Sequence, residues 1–95
     1  MPDVIWSLPA SADLDRSAVW LDEHRGEETS ARMLEVIGQR AQFLTDFPHG
    51  GRPYESDKRV LVVIGTPYVI VYRLRDGDAE IIRVHHERED WQTAT

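Results

Sequence analysis

The dipeptide Asp76-Gly77 stands between two runs of strand-forming residues, Pro67–Leu74 and Ala79–His85. Asp-Gly is a strong signal for a two-residue hairpin, because both central positions of a type I′ turn need positive φ. A second break, Gly65-Thr66, follows a third run, Arg59–Ile64. Parallel neighbours need a crossover of a dozen residues or more. Three strands joined this tightly therefore form an antiparallel meander.

Turn lengths also set a predicted register. Two-residue loops at both turns place Tyr72 across from Arg59 and Ile81, Ile70 across from Leu61 and Arg83, and Tyr68 across from Val63 and His85. One face then carries Val60, Val62, Ile64, Val69, Val71, Ile82 and Val84. This nearly all β-branched face is expected to lie under whatever covers the sheet. The other carries Arg59, Leu61, Val63, Tyr68, Ile70, Tyr72, Ile81, Arg83 and His85, and is expected to remain open as a binding surface.

The amino-terminal half reads as a strand followed by two helices. Val4, Ile5 and Trp6 mark a strand within Asp3–Ser7. Ser7 suits a helix cap and Pro9 a first turn, whose backbone donors lack partners anyway. Leu14, Ala18 and Leu21 recur at helical spacing, and Gly26 is a stop. Glu27 and Glu28 open a second helix, as the helix dipole favours. Its stripes are Leu34, Ile37, Ala41 and Leu44 beside Met33, Val36, Phe43 and Phe47, before Pro48 ends it. His49–Pro53 reads as loop. The expected fold class is α+β in the order β-α-α-β-β-β, a helical hairpin on an antiparallel meander. A chain of 95 residues is expected to be one domain, 1–95.

Composition narrows function. There are 11 basic and 17 acidic residues, a formal charge of −6. General nucleic-acid binding needs a basic surface. The absence of cysteine removes disulfides, thiolate nucleophiles and cysteine metal sites. Adjacent His85 and His86 point to opposite faces of a strand, so no shared metal ion is expected. The start of the chain has neither a basic nor an apolar leader region, and no apolar run approaches the ~20 residues of a membrane span. The expected location is the cytoplasm, without membrane partners and without a cofactor.

Several segments together resemble the ParE/RelE superfamily of toxins from type II toxin–antitoxin systems. They are SLPASADLD, LTDFPHGGRP, KRVLVVIGTPYVIVYRL, and AEIIRVHHERED followed by Trp91. The most specific pieces are the Pro48–Arg52 loop, the Pro67–Arg73 strand and the tail Ile81–Trp91. The resemblance covers nearly the whole chain. It implies a helical hairpin against an antiparallel sheet, and a cognate antitoxin whose C-terminal segment wraps the toxin. It also implies one of two activities: inhibition of DNA gyrase (ParE, plasmid stabilisation) or ribosome-dependent mRNA cleavage (RelE).

A metal-free ribonuclease must deprotonate a 2′-hydroxyl, stabilise a charged phosphorane and protonate the leaving oxygen. The resemblance would give those tasks to Arg59, Arg83 and His85. Against this, Tyr54-Glu55-Ser56-Asp57-Lys58 holds one lysine where the resemblance gives ribosome-acting members a lysine-rich stretch, and a −6 chain is repelled by ribosomal phosphates. The gyrase-type reading is preferred, with the ribonuclease and a non-toxic, partner-binding member as alternatives. Target-binding candidates are Arg59, Arg83, His85, His86, Arg88 and Trp91. Antitoxin-binding candidates are Trp20, Leu61, Tyr68, Ile70, Tyr72 and Arg83. A toxin homodimer, or a heterotetramer with antitoxin, is also compatible with Trp20 as an exposed anchor. The plainer readings are a surface ion pair for Arg83, packing for Tyr68 and Tyr72, loop geometry for Gly50-Gly51, and a solvated tail for Glu87–Asp90.

Overall fold

The computed structural model describes residues 3–87. It begins with strand β1 (Val4–Trp6), which runs directly into helix α1 (Leu8–Arg25). Ser7 makes that junction. Its side chain accepts a hydrogen bond from the Ala10 N–H at 3.2 Å and donates to the Ile82 carbonyl at 3.0 Å. Its backbone N–H donates to the Ile81 carbonyl. One residue thus caps a helix and ties it to the sheet.

Helix α1 ends at Gly26, whose φ of 90° and ψ of 156° suit glycine almost alone. Helix α2 (Glu27–Asp46) starts at once, with Glu27 and Glu28 in its first turn. The two helices pack closely where Ala18 is small, and Ser30 Oγ donates to the Ala18 carbonyl. The expected α2 stripe holds for Ile37, Ala41 and Leu44, which are fully buried. Phe47 instead lies exposed and stacks on Phe43.

The strands that follow are β2 (Arg52–Pro53), β3 (Lys58–Val62), β4 (Tyr68–Arg75) and β5 (Asp78–His86). The sheet order is β1-β5-β4-β3-β2, with β1 parallel to β5 and the other pairs antiparallel. The segment His49–Pro53, expected as loop, contributes the short edge strand β2 against Arg59 and Val60. Asp76 and Gly77 take φ of 53° and 84°, as the I′ turn requires.

The β3/β4 register matches the prediction, with Arg59 across from Tyr72 and Leu61 across from Ile70. The β4/β5 register matches as far as Tyr72 and Ile81 and then shifts. A bulge leaves Ile82 extra, so Arg83 faces Val71, Val84 faces Ile70, His85 faces Val69 and His86 faces Tyr68.

Which face the helices cover is the reverse of the expectation. The main core joins Ala10, Ile37, Ala41 and Leu44 of the helices to Leu61, Val63, Tyr68, Ile70, Tyr72, Ile81 and Val84. Of the β-branched set expected there, only Val84 belongs. Val60, Val69 and Val71 form a separate cluster with Tyr54, while Val62 and Ile64 are exposed. Two physical reasons account for the reversal. Bulky Leu, Ile and Tyr side chains fill the space beneath a helical hairpin, and a tyrosine can be buried when its hydroxyl finds partners. Tyr72 finds two. Its hydroxyl donates to the Pro48 carbonyl at 2.9 Å and accepts from the Gly51 N–H at 2.8 Å.

Candidate functional site

Helix α1 presents Asp13 to the exposed edge of β5 beyond β1. The Asp13 carboxylate is 4% exposed. It accepts from Arg83 Nε at 2.8 Å and Arg83 Nη2 at 2.9 Å, and from the Val84 backbone N–H at 2.9 Å. Arg16, one turn along, also bonds the same carboxylate. Burial alone would raise the Asp13 pKa. The hydrogen bonds from Arg83 and Val84, with the charges of Arg83 and Arg16, outweigh it and hold the carboxyl below its ordinary value.

Arg59 is engaged differently. Its Nη1 donates to the Gly51 carbonyl at 2.8 Å and to the His49 carbonyl at 3.4 Å. With Tyr72 it pins the Pro48–Arg52 loop across the end of the sheet. Gly51 is required there, because a Cβ would fall 2.6 Å from Tyr72 Cε1 and 2.8 Å from the Val60 carbonyl oxygen. Burial raises the Tyr72 pKa, against the lowering effects of the Gly51 N–H and the Arg59 charge.

Arg59 and Arg83 therefore do not share an open face. Arg59 lies opposite Tyr72 and Arg83 opposite Val71, and those two neighbours point to opposite sides of β4. The bulge at Ile82 is the cause, since it moves Arg83 onto the Val71 side. His85 shares that side, opposite Val69. Three antitoxin-binding candidates, Leu61, Ile70 and Tyr72, are core residues beneath the helices and offer no surface. Arg88 and Trp91 lie outside the described residues.

Trp20, Tyr68 and His86 do come together. They line a cleft of about 310 Å³ between α1 and the start of β4, with Asp13, Arg16, Ser17 and Val84. His86 meets the Tyr68 ring edge-on, with centroids 5.4 Å apart. Trp20 stacks on His24 at 4.3 Å. A second hollow of about 310 Å³ continues past Trp20 and His86 to Arg25, Thr29, Met33 and Glu87. These walls offer aromatic surface flanked by two arginines, which suits an apolar side chain with an acidic neighbour.

Sequence reasoning missed Asp13 and Arg16. A signal was present: Asp13 falls on the arc of Ala10, Ser17 and Leu21, which faces inward. An acid on a buried arc demands a cation and backbone donors. Among the described residues no helix is long and apolar enough to cross a membrane, and no three His, Asp or Glu side chains are grouped to hold a metal ion.

Comparison with known proteins agrees with this fold. Residues 4–91 match the family model described as the ParE toxin of the type II toxin–antitoxin system parDE. The putative toxin Y4kP of Sinorhizobium fredii is 32% identical over 87 residues, covering 90% of this chain and 88% of the relative. Toxin RelE2 of Caulobacter vibrioides is 33% identical over 86 residues, covering 90% and 96%. Among solved structures, a chain of the chromosomal ParDE toxin–antitoxin system of P. aeruginosa superposes with a TM-score of 0.84 at 24% identity, covering 90% of this chain and 96% of that one. YafQ of E. coli superposes at 0.58 and 17% identity, covering 92% and 94%. With a family match across nearly its whole length, and relatives above 30% identity over most of both chains, this chain belongs to the ParE toxin family of type II toxin–antitoxin systems.

Proposed function

We propose that this toxin inhibits growth by binding a protein target, DNA gyrase, and that a cognate antitoxin neutralises it. The observation that carries this reading is the placement of the two arginines. A ribonuclease needs its cations converging on one phosphate. Here Arg83 is held by Asp13 of α1, while Arg59 is spent on the Gly51 and His49 carbonyls of the Pro48–Arg52 loop. The net charge of −6 points the same way, since it opposes entry into a phosphate-rich site. The target-binding surface of this reading is the sheet side bearing Arg83 and His85, with Arg88 and Trp91 following in sequence. The antitoxin takes the Trp20, Tyr68 and His86 cleft with an apolar side chain flanked by acidic residues.

Purified toxin added to a gyrase supercoiling assay should block supercoiling, and the same toxin in a translating extract should leave mRNA intact. The second reading, mRNA cleavage, draws on the relative named RelE2 and on Arg83 and His85 sharing one sheet side. Unchanged supercoiling together with discrete mRNA cuts would establish it in place of the first.

A further inference from the structure

Helix α1 is apolar on two sides. Ala10, Leu14 and Leu21 face the core. The outward side carries Leu8 at 86% exposure, Val19 at 59% and Trp20 at 46%. A helix facing only water keeps its outer side polar. The outer side also holds a shallow apolar hollow lined by Asp15, Arg16, Val19, Trp20 and Glu23.

The charges around this patch are arranged to match themselves. Consider two copies of α1 lying antiparallel about a two-fold axis, with Val19 of each against Trp20 of the other. The helical spacing that sets this pair also places Arg16 of each copy across from Glu23 of the other, near the centre of the shared face. These two pairings are apolar on apolar and opposite in charge, and each occurs twice, as a closed two-fold interface requires. Arg16 spends one nitrogen on Asp13, and its side chain remains 66% exposed, so its outer nitrogens can reach the second copy. Glu23 is exposed.

We infer that the outward face of α1 is a self-association surface that pairs two copies of this chain through Val19 and Trp20, with Arg16 and Glu23 fixing the register. The inference is independent of the cellular target. The apolar patch is small, so the dimer belongs to the weak end of protein interfaces, with a Kd on the order of 10–100 µM.

Sedimentation velocity of the purified full chain, from about 5 to 500 µM, tests it. The wild type should shift from monomer to dimer across that range. Val19→Glu buries a carboxylate against the other copy's indole and should keep the chain monomeric throughout. Glu23→Arg, which sets arginine against arginine, should weaken association several-fold, and more so at low salt. Glu35→Arg, on exposed α2 surface, should change nothing. Val19 is solvent-exposed, so its replacement does not endanger folding. The chain has no cysteine, so Val19→Cys supplies a second readout: oxidation should link it into dimers, and Glu35→Cys should stay unlinked. A wild type that stays monomeric at the top concentration, or a dimer that survives Val19→Glu, would overturn the inference.

Discussion

Asp13 collects donors from three residues onto one nearly buried carboxylate, and its protonation state is therefore tied to folding. Its pKa is lower in the folded chain than in the unfolded one. The fold accordingly binds that proton less tightly, and Asp13 contributes its full share of stability above the unfolded-chain value of about 3.9. The contribution drains away as pH falls through that value and on through the lower folded one. Chemical denaturation followed from pH 7 to pH 3 should show this acid loss, and Asp13→Asn should flatten it. At neutral pH the same substitution should cost about 1–3 kcal/mol, because it leaves Arg83 and the Val84 N–H poorly matched. Tyr72→Phe tests the other polar anchor. It removes both hydrogen bonds of the hydroxyl, leaves the Gly51 N–H and the Pro48 carbonyl without their partner, and should cost about 1–3 kcal/mol in urea titrations. Wild-type stability should also decline as pH rises past about 10, where the unfolded chain ionises its tyrosines before Tyr72 does. Tyr72→Phe should lose that part of the alkaline slope.

At the scale of elements, the parts legible in the sequence were those decided over a few residues. The Ser7 cap, the Gly26 corner, the α2 stripe through Ile37, Ala41 and Leu44, and the Asp76-Gly77 turn all follow from local backbone chemistry. So does the β3/β4 register, which a short turn dictates. The face assignment depends on longer-range facts. It required knowing that β5 gains a residue at Ile82, and that the Pro48–Gly51 loop returns to satisfy the Tyr72 hydroxyl. Nothing beside Ile82 in the sequence marks the first, and the second joins residues more than 20 positions apart. Asp13 and Arg83 are likewise 70 positions apart, so their pairing was out of reach of local pattern. The sequence-based candidate site erred for the same reason, since it read Arg59 and Arg83 as neighbours on one surface. Among the local devices Gly26 offers the plainest test. A Cβ there meets nothing within 4 Å, so Gly26→Ala isolates backbone strain. Its φ of 90° and ψ of 156° lie where alanine is strained, and the cost should be of order 1–3 kcal/mol by thermal or urea unfolding.

At the scale of the whole molecule, the proposed function sets two kinds of partner on two surfaces. The cleft of Trp20, Tyr68 and His86 lies between α1 and the sheet. His85 stands opposite Val69, which belongs to the small cluster apart from the main core, and Arg83 stands opposite Val71 of that cluster while its guanidinium reaches back to Asp13 of α1. If the antitoxin anchors in the cleft, Tyr68→Ala should weaken antitoxin binding by tenfold or more in titration calorimetry. His85→Ala, on the other side, should leave antitoxin affinity nearly unchanged while lowering potency in the supercoiling assay. Equal losses of antitoxin affinity from both variants would mean that one partner spans both sides.

The extra residue at Ile82 has a consequence for how this strand can evolve. Paired straight on from Tyr72 and Ile81 at the same length, Arg83 would stand opposite Ile70, toward the greasy interior, and Val84 opposite Val69, out of it. Losing Ile82 together with the bulge would instead leave Arg83 opposite Val71 and Val84 opposite Ile70, where they stand now. A relative one residue shorter here should therefore keep the facing of every later side chain, whereas one of equal length without the bulge should exchange the polar and apolar positions that follow.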